Sequence, residues 1–268
     1  MSNKRRKISL IVVLSIVMTC IAPNLVFGES LRERIEAEVR ADYLNDPIFM
    51  LEIQEKGSDW AESFFNHTVE RRLINTITPL ADPDAIQQVS MTAIKQPEEY
   101  DCGPTNALMV LYTAGRASYV TGTNNDDKIR NLYSATGTTT EGSVLYKVKD
   151  TINTYMASGK KNYTYIPTNT AITKTDFINS IHGSLRKGYA AIIHVTNKKL
   201  PYWDGYGSGH YVSAYYINTN STNNTIKIAD SYNGDLCTGY PYLSTFGNHT
   251  VSIDTAFNAL KSTVIYYE

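Results

Sequence analysis

The chain has 268 residues, 42% of them hydrophobic and 19% charged, with a formal net charge of −1. This is globular composition, long enough for one sizeable domain and an appendage. With no basic stripe and a near-even charge balance, it excludes nucleic acid as a partner.

In chain order, residues 1–28 read as a signal peptide. Lys4, Arg5, Arg6 and Lys7 form a basic start, and Ile8 to Met18 is an apolar run short for a bilayer span. Val26 and Gly28 are small residues at −3 and −1 of a cleavage site before Glu29. A retained anchor is the alternative, and Cys20 is no lipidation site because Thr19 is a poor residue to precede one. The expectation is an exported protein, secreted or held at the cell surface, with no stable membrane insertion after signal removal. Losing the four basic residues moves the net charge from −1 to about −5.

Residues 29–90 are acidic and hold one tyrosine, Tyr43; the rest of the 20 tyrosines lie in 91–268. The acidic stretch reads as helical. Ser30-Leu31-Arg32-Glu33 is a capping box, followed by Leu31, Ile35 and Val39 at helical spacing. Asp46-Pro47 is a cap with proline in the first turn, Gly57 is a stop, and Asp59 to Glu62 repeats the capping pattern before Phe64, Phe65, Val69 and Leu73. Such a segment is a propeptide or a docking surface, and the sequence leaves both open.

Residues 91–268 read as the main domain. Gln87 to Ala93 is a short entering strand. Gly103 to Ala114 is a helix, with Pro104 tolerated in its first turn and Gly115 ending it. Helices follow over Ser143 to Met156 and about Thr175 to Lys187. Extended segments come next: Tyr189 to Thr196, His210 to Ile217, Thr225 to Tyr232 and Thr263 to Tyr267, with a polar turn over Asn218 to Asn224. Helices first and an antiparallel sheet afterwards is an α+β arrangement. There is no phosphate-binding glycine motif and no paired ligand spacing among the histidines and cysteines, so neither a cofactor nor a metal is expected.

Export favours paired cysteines, yet only Cys102 and Cys237 remain after the signal. A disulfide between them explains both structurally. The competing reading makes Cys102 a nucleophile. It opens the helix after Tyr100-Asp101, where unpaired N–H groups and the macrodipole favour a thiolate. His210, at a strand start after Gly205-Tyr206-Gly207-Ser208-Gly209, is the best base. His194 lies on an apolar strand and reads as structural; His67, His182 and His249 are further from such a setting. Asp230 ends the next strand, and a hairpin about 218–224 brings it opposite residues 210–213. There a carboxylate orients the imidazole. A turn-forming aspartate is the plainer role for Asp230, and Asp235 is a weaker alternative. Gln96, six residues before the cysteine, is ordinary polar surface on these grounds alone.

Together, Gln96, Tyr100-Asp101-Cys102-Gly103-Pro104, Gly209-His210-Tyr211-Val212 and Ile228-Ala229-Asp230 resemble the papain-like peptidases related to double-glycine leader peptidases. The resemblance covers roughly residues 88–268. It implies a papain-like fold in which the nucleophile helix packs on a C-terminal antiparallel sheet. It also implies roles: Cys102 as nucleophile, His210 as base, Asp230 as its orienter and Gln96 in the oxyanion hole. The chain departs from the family in having Ser231 where proline often follows the aspartate, and in carrying a signal peptide instead of a transporter. The implied activity is a cysteine peptidase acting on peptide or isopeptide bonds of a peptide or protein substrate. A cell-wall amidase, an endopeptidase or an acyl transferase would use the same residues. A non-catalytic binding module would instead use Tyr202, Trp203, Tyr206, Tyr232, Tyr240 and Tyr242 as its contact surface.

Overall fold

The computed structural model describes residues 30–77, 86–167, 172–220, 224–232, 234–236 and 244–268. The expected signal segment, Cys237, Tyr240 and Tyr242 lie outside them. The chain divides into two units, Met1–Pro79 and Leu80–Glu268.

The described residues of the first unit form three helices: α1 (Leu31–Leu44), α2 (Pro47–Lys56) and α3 (Ser58–Ile77). The Ser30–Glu33 capping box starts α1, and Asp46 caps α2 through the Ile48 N–H. Ile35, Val39 and Tyr43 recur at four-residue spacing and form the buried face of α1. Their core is aromatic: Phe49 lies 4.8 Å from Phe64 and 5.5 Å from Phe65 and Trp60, centroid to centroid. Arg40 donates bidentately to Glu62, at 3.0 and 2.7 Å, which ties α1 to α3.

The second unit is α+β. Its sheet runs β2 (Tyr163–Tyr165), β7 (Leu260–Tyr267), β3 (Ala191–Val195), β4 (His210–Asn218), β5 (Thr225–Asp230), β6 (Gly247–Ser252), and β1 (Ile86–Gln88) also pairs with β4. All pairings are antiparallel. The helices are α4 (Cys102–Thr113), α5 (Asn125–Tyr133), α6 (Leu145–Tyr155), α7 (Lys174–Arg186) and α8 (Ile253–Ala259). Because β1 is part of this sheet, the division falls ahead of residue 90, where the composition shifts.

One core lies between α7, α8 and the sheet. Phe177, Ile181 and Leu185 of α7 meet Ile193, Val195, Val212, Ala214, Ile226 and Ile228, and Ile253, Ala256 and Ala259 join from α8. The helix α4 is buried on every side from Cys102 to Leu111, which accounts for its near-continuous apolar sequence. It contacts α6 and β4. The strand pair β4–β5 is in register from Asn218↔Thr225 to Tyr216↔Lys227 and carries a bulge between Ala214 and Tyr216, resuming at Ala214↔Ile228. A bulge adds one residue to one strand and re-aims its neighbours. Here it precedes the two strand ends that carry His210 and Asp230.

Candidate active site

Cys102 is the first residue of α4, buried and free of any disulfide. The first turn of a helix leaves its N–H groups without intrahelical partners, so donors converge on the thiol's surroundings. Gly103 is required there by packing: a Cβ at this position would overlap the Ser143 hydroxyl. Ser143 is itself held by Thr138, Oγ to Oγ at 2.6 Å.

His210 Nε2 lies 2.7 Å from Asp230 Oδ1, and both side chains are buried. Burial works against the imidazolium. The Asp230 carboxylate and its hydrogen bond, with a further contribution from Cys102, outweigh that and lift the His210 pKa to about 10. Cys102 acts on the same histidine, its side chain lying close enough to help raise the imidazole's pKa. The structure therefore pairs His210 with Asp230 and sets Cys102 near enough to influence the same ring.

Asp230 is held by three donors. Besides His210, the Tyr232 N–H donates to Oδ1 at 2.8 Å and Trp203 Nε1–H to Oδ2 at 3.0 Å. Trp203 comes from a short helical turn, Pro201–Trp203, and its ring lies 5.3 Å from that of His210 and 4.6 Å from that of Tyr232. It thus covers the ion pair and anchors it. Nothing in the spacing of the chemical residues marks Trp203. The available signal was an aromatic pair just before the glycine-rich loop.

Gln96 sits differently from its expected role. Both hydrogens of its amide are taken, by the carbonyls of Glu98 at 2.9 Å and Glu99 at 2.8 Å, and Ser231 Oγ donates to its Oε1 at 3.0 Å. As placed, it is a clamp on the turn that delivers Asp101-Cys102 and offers no free donor to an oxyanion. Ser231 explains its own departure from proline: its carbonyl accepts from the Gln96 N–H at 2.9 Å while its hydroxyl binds the Gln96 side chain. Asn106, one turn into α4, was also missed. Its Nδ2 donates to the carbonyls of Cys102 and Tyr211, each at 2.8 Å, and its Oδ1 accepts from Ser213 at 2.6 Å. That amide fastens the cysteine turn to the histidine strand.

The remaining titratable residues are placed apart from this cluster or beside it. His194 stacks on Tyr211 with centroids 4.7 Å apart, and its Nδ1 lies 2.6 Å from Ser262 Oγ. Burial, then the positive charges of Lys261 and His210, lower its pKa to about 4, so it is neutral near pH 7. His249 contacts the Thr245 carbonyl and stacks on Tyr202. Asp235 is exposed and faces Lys95 at 3.5 Å. Asp101 is 1% exposed and neither carboxylate oxygen has a hydrogen-bond partner at normal geometry. Burial first, then the charge of Glu98, raises its pKa to about 6, against smaller opposing effects of the Glu98 N–H and Arg130. Among the described residues no group of three or more His, Cys, Asp or Glu is placed to hold a metal ion, and no helix is long and apolar enough to cross a membrane.

No protein-family model matches the chain, and no curated protein does. Among solved structures it is similar to the peptidase domain of Streptococcus ComA, a bi-functional ABC transporter involved in a quorum-sensing pathway. The identity is 18%, the TM-score 0.39, and the match covers 66% of this chain and 97% of that one.

Proposed function

We propose that the protein is an exported cysteine peptidase that hydrolyses peptide or isopeptide bonds. The observation that carries this reading is one imidazole, His210, bonded to Asp230 at 2.7 Å, with the Cys102 thiol at a helix start close enough to raise its pKa. The Cys102 sulfur attacks the carbonyl carbon, and the carbonyl electron pair moves to oxygen, stabilised by the N–H groups of the first helical turn. As the tetrahedral intermediate collapses, the C–N bond breaks and His210 delivers its proton to the departing amine. Neutral His210 then takes a proton from water, the resulting hydroxide adds to the thioester, and the thiolate leaves. Asp230 keeps the ring oriented and compensates its charge throughout, itself remaining ionised.

Gln96 supports this chemistry by fixing the turn ahead of the nucleophile. Its expected role as oxyanion donor would require one of its two carbonyl partners to be exchanged for substrate. The test is alkylation by iodoacetamide at neutral pH, followed by peptide mapping, beside peptide-library cleavage. Wild type should label fast at Cys102 and cleave, and Cys102→Ala should do neither. Labelling of Cys102 at the rate of a free thiol, with no cleavage, would sink the reading.

A further inference from the structure

The sheet registers Val195↔His210 and Val195↔Leu260 set the starts of β4 and β7 level with each other, on either side of β3. The side chain following Leu260 is Lys261. It crosses β3 and lies against Gly209, the residue before His210, so closely that a Cβ at Gly209 would overlap its Nζ. His194, on the intervening strand, senses both Lys261 and His210 as positive charges. His194 is neutral there, and Lys261 makes no ion pair or hydrogen bond among the described residues.

The same loop is bare at a second point. Gly207, with φ of 89°, packs directly on the Asn197 side-chain amide, whose oxygen is buried without a partner. The two glycines thus make room in this loop, Gly209 for the Lys261 ammonium next to the base and Gly207 for the buried Asn197 amide. Lys198 and Lys199, exposed just after β3, add positive charge at this end of the sheet. Among the described residues, the only carboxylate bonded to His210 is that of Asp230, which is buried and engaged by three donors.

We propose that Lys261, lying across Gly209 beside His210, forms a carboxylate-recognising subsite. Peptides with a carboxylate next to the scissile bond, as an Asp or Glu side chain or as a free C-terminus, are therefore the favoured substrates. This rests on the peptidase reading and deepens it. The ammonium offers three donors and a full charge.

The experiment uses two alkylating probes of similar size, anionic iodoacetate and neutral iodoacetamide, on the full chain. The expected iodoacetate-to-iodoacetamide rate ratio at Cys102 falls about threefold or more in Lys261→Met and further in Lys261→Glu, is kept in Lys261→Arg, and shrinks with added salt. Matched peptides with Glu or Gln on either side of the cleaved bond, and with free or amidated C-termini, then separate the two carboxylate sources by kcat/KM. A rate ratio indifferent to Lys261, with Cys102 still fast, would overturn the subsite and leave the peptidase intact. Slow, free-thiol rates with both probes in every variant would overturn the peptidase reading and the subsite with it.

Discussion

Asp230 takes donors from a histidine ring, an indole and a backbone N–H, and the indole is the one whose loss is easiest to interpret. In Trp203→Phe the ring still covers His210, but Asp230 Oδ2 loses its bond at 3.0 Å. Leaving one buried acceptor unpaired costs about 1–3 kcal/mol. Urea unfolding should show that loss, and the less compensated carboxylate should move the alkaline limb of the activity profile above the value near pH 10 expected from His210. A second residue runs the other way. Asp101 has a folded pKa of about 6 against an ordinary 3.8, so the folded state holds its proton more tightly. Its ionisation therefore costs nothing below pH 3.8, costs progressively more between 3.8 and 6, and costs its full amount above 6. Asp101→Asn should raise stability at pH 7 by up to about 3 kcal/mol and make no difference well below pH 3.8, measured by thermal unfolding at both pH values. A wild type more stable than the variant at pH 7 would refute the assignment of an unpartnered charge.

At the scale of elements, the site is a junction between one helix and two strands, and Asn106 is its fastener. Asn106→Asp removes the amide hydrogens that two carbonyls share and sets a carboxylate against the Cys102 and Tyr211 oxygens. Losses of about 1–3 kcal/mol for each unpaired carbonyl are expected, together with a collapse of Cys102 alkylation toward the free-thiol rate. Retained reactivity would mean that β4 and α4 are aligned by packing alone. This junction also shows what sequence reasoning reaches. Helix α4, strand β4 and strand β5 were legible because apolar runs, a proline-first turn and an end glycine are local signals. His210 and Asp230 followed from the hairpin. The strands β2 and β6 and the helices α5 and α8 are short, nine residues at most, and were not read. Trp203, Ser231 and Asn106 act through long-range hydrogen bonds, and a linear pattern holds no trace of which partner a side chain will meet. Gln96 was assigned a role from family likeness, whereas its local carbonyls and Ser231 decide where its amide points.

For the molecule as a whole, each unit has its own core: aromatic and helical in one, aliphatic and sheet-centred in the other. Separate cores predict separate cooperative transitions. Phe49→Ala removes the centre of the aromatic cluster and should cost the helical unit about 3–5 kcal/mol. The near-ultraviolet signal of the second unit, which holds all tyrosines but Tyr43, should keep its midpoint. A common shift of both signals would show one cooperative molecule. The two tryptophans divide in the same way, Trp60 with the helices and Trp203 against His210. With Trp60→Phe, emission from the remaining indole becomes a label-free reporter of the imidazole's protonation, because a charged ring quenches and a neutral one does so less. Substrate capture and proton movement at the thiol are then open to stopped-flow fluorescence without any added dye.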